Sequence, residues 1–575
     1  MVENINGAEA VTLALIAEGV DTVFGYPGGS NLPIYDSFYK HENEIKHVLV
    51  RHEQGAVHAA EGYAAVNKRV GVCMVTSGPG ATNLLTGIAN AQLDSTPIVC
   101  ITGQVLTPQL GYDAFQETDV VGFSMPVTKW NYQITKAEEI PSTLAKAFYI
   151  ARSGRPGPVL IDITKDAQTQ IIEKFEYQKC EKIRSYHPKL KPIEKDIDLA
   201  SQLLNNAKKP LMIVGHGVLI SGCKDLIKNL SETAQIPVAT TLLGLSAFET
   251  SSPLYAGMVG LHGNYAANIM TNRCDVLLAI GMRFADRVTG NVAQYAKNAK
   301  IIHIEIDPSE IDKVVKTDVH IIADAKSALK QLLMKISKNF HNEWLEEMES
   351  LRQKEQEKVI NKDLGKYSNK TLDDGILKMG KAVRAISNKI KDATVVVTDV
   401  GQNQMATARY FEFKDNDFFI TSGGLGTMGF GLPAAIGASY GKGKRNVVCF
   451  MGDGGFQMTI QELGTIMQYK LPIKMILLNN NYLGMIRQLQ DLYYQSHDYF
   501  KAMQNPDFEK IVQAYGIKTR KVTLLEDLDS AIDEMLNYPG SYFIEVTVEK
   551  LENIYPVIPA GKAVDQMLLT AQEKG

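Results

Sequence analysis

Cysteine is scarce in this chain. The six, Cys73, Cys100, Cys180, Cys223, Cys274 and Cys449, are scattered and show no paired metal-type spacing. That pattern argues against a disulfide framework and a thiolate zinc site, and a reducing cytoplasm is the simplest compartment to expect. No uninterrupted apolar run reaches the length needed to span a bilayer. No lysine- or arginine-rich block appears, and the net charge of −4 gives no reason to expect nucleic acid or an anionic membrane as a partner. Short-period repeats and low-complexity tracts are missing as well. The N-terminus runs straight into a helical pattern, Gly7 to Gly19, so neither a signal nor a transit peptide is expected.

What remains is ordinary globular composition, 45% hydrophobic and 22% charged. The 575 residues suit about three domains. The first stretch, residues 1–177, alternates short apolar strands with helices. Strands are expected at Thr22–Gly25, Lys46–Val50, Val70–Thr76 and Ile98–Thr102, each ending in a polar or glycine-rich loop. That reads as an open parallel sheet with its functional edge at the strand carboxyl ends. Gln178 to Lys191 is polar and reads as a linker. A second α/β unit, residues 192–341, has expected strands at Pro210–Val214, Val238–Thr241, Val276–Ile280 and Lys300–Ile306. A charged helical segment, Asn342 to Lys366, leads to a third unit, residues 366–575, whose pattern is clear from Thr371. The expected fold class is therefore α/β, with three open parallel-sheet domains.

The sharpest local signal lies in the third unit. Gly452-Asp453-Gly454 follows the apolar stretch Asn446 to Met451, and Asn479-Asn480 follows the apolar run Ile473 to Leu478. An amphipathic stretch, Gln457 to Tyr469, lies between them. Such a β-α-β unit crosses over right-handedly, so its strands are parallel and close in one sheet. Asp453 and Asn480 then share a carboxyl edge. A carboxylate oxygen beside an amide oxygen suits a hard cation such as Mg²⁺, which keeps positions free for a diphosphate. A lone Gly-Asp-Gly usually just turns the chain. With Asn-Asn at this spacing it resembles the thiamin-diphosphate (ThDP) signature.

Glu53 follows the strand Lys46–Val50 and precedes the helix Gln54–Ala65. ThDP needs a carboxylate against N1′ of its aminopyrimidine, so that the 4′ nitrogen can remove the thiazolium C2 proton. The plainer role for Glu53 is an acid in the first turn, favourable to the helix dipole. The run from Thr421 to Gly431 holds five glycines, which suits close backbone approach to a cofactor. Met428 is its one bulky flexible side chain, placed either to wedge under the two ThDP rings or to fill core. In the second unit Gly215-His216-Gly217 is a weak dinucleotide signal. Arg283, Asp286 and Arg287 crowd another strand end and suit an anionic nucleotide. Glu305 and Asp307 are placed to hold a ribose. A surface salt-bridge cluster is the alternative for this group.

Taken together these residues resemble the acetohydroxyacid synthase (acetolactate synthase) family of ThDP-dependent carboligases. The resemblance spans nearly the whole chain, from Phe24-Gly25-Tyr26-Pro27-Gly28-Gly29 to Ile558-Pro559-Ala560-Gly561-Lys562. It passes through Arg51-His52-Glu53-Gln54-Gly55-Ala56, Thr76-Ser77-Gly78-Pro79-Gly80 and Asp113-Ala114-Phe115-Gln116-Glu117. It implies a pyrimidine-binding, a central FAD-type and a diphosphate-binding domain in a homodimer or homotetramer, with the active site between subunits. The metal ligands implied are Asp453, Asn480 and the backbone carbonyl of Tyr482. ThDP contacts map to Tyr26, Gly29, Glu53, Gly401, Gln402, Asn403, Gly426, Met428, Gly454, Gly455, Met458 and Met485. Residues near the reacting centre map to Phe115, Gln116 and Lys165, with Arg287 facing the second substrate's carboxylate. FAD contacts map to Arg155, Gly215, Gly217, Thr241, Leu242, Leu261, His262, Gly281, Arg283, Arg287, Val288, Glu305, Ile306 and Asp324.

Three positions depart from the family pattern. Asn403 stands in place of histidine, Ala285 in place of an aspartate beside the FAD arginines, and Leu489 in place of a tryptophan that helps select the acceptor. The activity implied is decarboxylation of pyruvate and condensation with a second 2-keto acid, pyruvate or 2-ketobutyrate, with a small regulatory subunit as a further partner. Rival expectations are a pyruvate oxidase or 2-keto acid decarboxylase of the same architecture, and a non-catalytic nucleotide-binding paralogue.

Overall fold

Apolar strands buried on both faces dictate the architecture. In the computed structural model, which describes residues 2–365, 377–441, 443, 445–495, 497, 499 and 501–573, runs such as Pro158–Thr164, Pro210–Val214 and Ile473–Asn479 are buried along their whole length. Strands of that kind belong in parallel sheets covered by helices on both sides. Three such sheets form, each of six strands. The expected boundaries at Lys366 and Gly575, and the start at Thr371, lie outside the described residues.

The first sheet runs Lys46–Leu49, Thr22–Gly25, Gly71–Val75, Ile98–Gln104, Pro158–Thr164, Trp130–Ile134, parallel throughout. The third runs Phe418–Ile420, Thr394–Thr398, Asn446–Gly452, Ile473–Asn479, Tyr542–Thr547, Lys518–Val522, again parallel. The central sheet is ordered Tyr255–Met258, Val238–Thr240, Pro210–Val214, Val276–Ile280, Lys300–Glu305, Val319–Ile322, all parallel. Numbered within their own units, the first and third sheets share the order 2-1-3-4-6-5, whereas the central one has the dinucleotide-binding order 3-2-1-4-5-6.

The first and third units share one hydrophobic core, in which Val57, Ala60 and Tyr63 join Ala434, Ala435 and Ala438. Helix Glu53–Asn67 lies directly on helix Gly431–Gly441. A Cβ on Gly62 would fall 2.0 Å from the Ala434 carbonyl oxygen, and one on Gly437 would fall 1.7 Å from that of Ala59. Only glycine permits backbones to meet so closely.

Two expected elements differ from what forms. The helix expected over Gln457 to Tyr469 is broken into Asp453–Met458, a 3-10 turn at Ile460–Glu462, and Leu463–Tyr469. The break falls at Thr459, whose hydroxyl is drawn to the Gly429 carbonyl at 2.9 Å. The linker from Gln178 is not free chain. Tyr186 donates to the Ser153 carbonyl at 2.7 Å and accepts from Lys129 Nζ at 3.2 Å. The charged segment is helical as expected over Asn342–Glu355, then passes through a π turn at Gln356–Ile360. Where the turn begins, Glu355 forms a buried ion pair with Arg409, whose Nη2 also donates to the His262 and Gly263 carbonyls.

Candidate active site

Asp453 is the first residue of the short helix Asp453–Met458, immediately after the strand Asn446–Gly452. That strand pairs with Ile473–Asn479, Gly452 opposite Leu478, so Asp453 and Asn480 leave the sheet at one edge. Asp453 is buried. Burial pushes its carboxyl above the ordinary range, against the opposing pull of the Asn505 amide. Asn505 Nδ2 lies 2.6 Å from Asp453 Oδ2, 3.1 Å from Asn479 Oδ1 and 3.0 Å from Asn481 Oδ1. Asn480 Oδ1 accepts from the Tyr482 N–H at 3.0 Å, and its amide donates to Gln402 Oε1 at 3.2 Å.

Among the described residues no group of three or more His, Cys, Asp or Glu is placed to hold a metal. One carboxylate, one amide and nearby backbone carbonyls form a donor set for a hard cation with open positions. A buried carboxylate without a cationic partner is the feature such an ion would compensate. The residues present therefore fit Mg²⁺.

Four loops converge on this edge. Gly401, at φ 122°, starts helix Gln402–Tyr410. The Asn403 amide lies 3.2 Å from where a Cβ on Gly452 would sit. Met428 Cε is 3.2 Å from the corresponding position on Gly454, and Met458 Cβ is 3.0 Å from that on Gly429. Gly484, which precedes Met485, packs on Gln402. Gly401, Gln402, Asn403, Met428, Asp453, Gly454, Gly455, Met458, Asn480, Tyr482 and Met485 therefore line one cleft, with Gly426, at φ 72°, in the loop beside it. Leu489 lies on helix Gly484–Tyr493 at its rim, exposed.

Glu53 belongs to a second cluster, on the first sheet. It is the first residue of helix Glu53–Asn67, whose N-cap is His52; the His52 Nδ1 accepts the Gln54 N–H. Glu53 Oε2 accepts from Asn83 Nδ2 at 2.9 Å, and Oε1 lies 3.6 Å from a Cβ position on Gly80. Tyr26 and Gly29 follow the strand Thr22–Gly25. Gln116, at φ 60°, packs against Gly78, and Phe115 is 88% exposed. Lys165 is exposed at the start of a short helix. Among the described residues no hydrogen bond joins the Glu53 cluster to the Asp453 cleft. The two clusters lie at the edges of different sheets.

The central unit opens into a cavity of about 750 Å³, within the range of cofactor sites. Apart from Gly215, every residue of the flavin expectation lines it, and so does Ala285. Gly215 stands just behind, its Cβ position 2.3 Å from the Gly281 carbonyl oxygen. Arg155 is fixed by Ser95 Oγ at 2.9 Å, by Glu310 at 2.9 Å and by Asp307 at 3.3 Å. Burial lowers the pKa of both Arg283 and Arg287. Burial also raises Glu305 to about 7, and it lowers His262 to about 3, assisted by Arg409 and Arg287. Arg283 and Arg287 thus line a cavity, while Arg155 on its wall is ion-paired with Asp307 and Glu310. Its shape, cationic lining and sheet order fit a dinucleotide.

Sequence reasoning missed Asp94, Asp399 and Asn505. Asp399 is buried and accepts N–H bonds from Val400, Gly429 and Gly431, shaping the glycine-rich loop. Asp94 accepts from Gly423 and Gly424. Burial raises it to about 7. Asp94 ends a helix and Asn505 sits in irregular chain, so neither carries a strand-end signal.

Comparison with known proteins agrees with this geometry. Residues 5–123 match the family described as thiamine pyrophosphate enzyme, N-terminal TPP binding domain. Residues 197–332 match its central domain and 399–546 its C-terminal TPP binding domain. A probable acetolactate synthase large subunit from Methanocaldococcus jannaschii is 43% identical over 97% of this chain and 94% of its own length. The acetolactate synthase large subunit of Lactococcus lactis is 42% identical over 98% and 96%. The isozyme 3 large subunit of Escherichia coli is 42% identical over the full length of both. With three parallel α/β sheets and this likeness end to end, the chain belongs to the thiamine pyrophosphate enzymes, in the acetolactate synthase large-subunit family.

Proposed function

We propose that this chain decarboxylates pyruvate on ThDP and joins the two-carbon unit to a second 2-keto acid, mainly pyruvate, to give 2-acetolactate for branched-chain amino-acid biosynthesis. The observation that carries the reading is the Asp453–Asn480–Tyr482 edge, a buried single-carboxylate cleft in a chain related throughout to acetolactate synthase large subunits. Bound ThDP supplies the nucleophilic carbon. Asp453, Asn480 and the Tyr482 carbonyl hold Mg²⁺. Gly401, Gln402, Asn403, Gly454 and Gly455 surround the diphosphate, and Met428, Met458 and Met485 pack on the rings. Glu53 shares a proton with N1′ of the aminopyrimidine, beside Tyr26 and Gly29. Phe115, Gln116, Lys165, Arg287 and Leu489 surround the keto acids.

The separation of the Glu53 cluster from the Asp453 cleft supports a homodimer or homotetramer, in which one chain's Glu53 meets the other's cleft. Exposure of Phe115, Tyr26 and Met458 supports the same assembly. The central cavity takes FAD. The name "large subunit" borne by the relatives supports a small regulatory partner. The domains run over 1–177, 192–341 and 366–575. Among the described residues no helix is long and apolar enough to cross a membrane, and the cysteines are free thiols. We place the chain in the cytoplasm on the strength of those thiols. Incubating the purified protein with pyruvate, ThDP, Mg²⁺ and FAD tests the assignment. Acetolactate is the expected product, whereas acetaldehyde alone, or no ThDP-dependent CO₂ release, removes it.

A further inference from the structure

Asp94 ends the helix Leu85–Asp94 where all three units meet. Its carboxylate, only 4% exposed, accepts two successive N–H groups of the glycine-rich loop. Gly423 donates to Oδ2 at 2.9 Å and Gly424 to Oδ1 at 2.7 Å. Its carbonyl accepts His216 Nδ1 of the central unit at 2.9 Å. Arg283 Nη2 lies 3.3 Å from where a Cβ on Gly424 would sit, and Arg287 Nη1 reaches the Gly423 carbonyl at 3.4 Å. Arg287 and Asp94 therefore hold the Gly423 backbone from two sides, and Arg283 lies beside Gly424, which Asp94 also holds. A few residues on, the loop enters the cofactor cleft, where Met428 lies over Gly454 and the Gly429 N–H is held by Asp399.

We infer that Asp94 is a positioning residue that couples the central cavity to the cofactor cleft through residues 421–429, so that a dinucleotide in one and ThDP in the other tighten each other's binding. The inference rests on the reading of the cavity as a flavin site. An anionic ligand between Arg283 and Arg287 orders the side chains that touch Gly423 and Gly424. Asp94 holds the other side of those units, so the loop moves as one piece. Both carboxylate oxygens are used, and an amide offers only one acceptor. Coupling of this kind is reciprocal in binding free energy.

Calorimetric titration of ThDP with Mg²⁺, with and without saturating FAD, tests it on the full-length protein. In the native chain FAD tightens ThDP binding by about fivefold or more, the lower end of ordinary coupling between sites. Asp94→Asn, which still takes up FAD, brings that ratio to within about twofold of unity. Gly424→Ala provides the second variant. Its Cβ would sit 2.8 Å from Leu93 Cβ and 2.9 Å from Asp94 Oδ1, forcing the loop off an intact carboxylate. It shows the same loss, and decides the matter if Asp94→Asn does not fold. An unchanged ratio in a folded variant, or a native chain that binds both ligands independently, overturns the coupling. A native chain that takes up no FAD removes the flavin reading itself, and the coupling with it.

Discussion

One oxygen of Glu53 is engaged by the Asn83 amide, and the other lies 3.6 Å from the Cβ position of Gly80. A carboxyl group held in this way can share a proton with a ring nitrogen without changing its rotamer. Glu53→Gln keeps the shape and the Asn83 contact but cannot share that proton. Acetolactate formation falls by about a hundredfold or more, the size expected for a lost acid–base group; near-native turnover of the purified variant would remove Glu53 from the chemistry. Leu489 stands 42% exposed on the cleft's rim, one turn from Met485. A leucine offers the extra methyl of 2-ketobutyrate less apolar contact than an indole face does. One methylene in an apolar pocket is worth about 1–3 kcal/mol. In competition at equal concentrations the native chain therefore makes mainly acetolactate, and Leu489→Trp shifts the product ratio toward 2-aceto-2-hydroxybutyrate. A strong native preference for 2-ketobutyrate would instead assign the selective wall to Ile486 or Met485. The placement of Glu53, Asp453 and Asn480 beyond strand ends could be read from sequence, because the strands before them are short apolar runs. Asp94 could not, because its loop partners lie 329 and 330 residues away, and Asn505 could not, because it sits on an irregular segment.

The β-α-β element that carries the cleft was legible because its strands are uninterrupted apolar runs, and the structure pairs them as expected. Its helix was not read correctly, since the apolar period continues through Thr459 while a tertiary bond to Gly429 breaks the helix there. Edge strands were also missed. Lys518–Val522 reads Lys-Thr-Arg-Lys-Val, too polar to announce a strand. Asp453 opens the helix after the first strand and is the charged ligand proposed for the metal. Asp453→Ala leaves the ThDP diphosphate without a bound cation to neutralise it. ThDP affinity then falls by at least about tenfold, equivalent to 1.4 kcal/mol; an unchanged isotherm would move the metal elsewhere. The contact of helix Glu53–Asn67 with helix Gly431–Gly441 gives a stability prediction. Gly437→Ala gains about 1 kcal/mol of helix propensity. Its Cβ, however, would lie 1.7 Å from a backbone oxygen that no rotamer change can move. Overpacking costs about 1–3 kcal/mol, and more against rigid backbone. The variant unfolds at a lower temperature than the native chain, measurable by calorimetry.

At the scale of the whole molecule, the first and third sheets repeat one strand order around a shared core, while the central sheet follows another. Alternating strands and helices made the α/β class legible. Strand order was not, because it depends on which crossovers pack and not on any one segment. The arrangement places the flavin-type cavity and the cofactor cleft on opposite ends of one loop. Gly423 and Gly424 line the cavity, whereas Met428 faces Gly454 in the cleft. Hydride transfer from a pyruvate-derived carbon to a flavin requires the two to touch. Asp94 and Asp399 pin the loop that runs from one site to the other. On the proposed carboligase reading, FAD is expected to bind stoichiometrically, through Arg155, Arg283 and Arg287, with its visible absorbance band staying that of the oxidised form throughout turnover with pyruvate. Anaerobic spectra recorded during acetolactate formation check this. Steady bleaching of the band by pyruvate would mean that the loop opens to let the ring reach the cleft, and the chain would then act as a pyruvate oxidase.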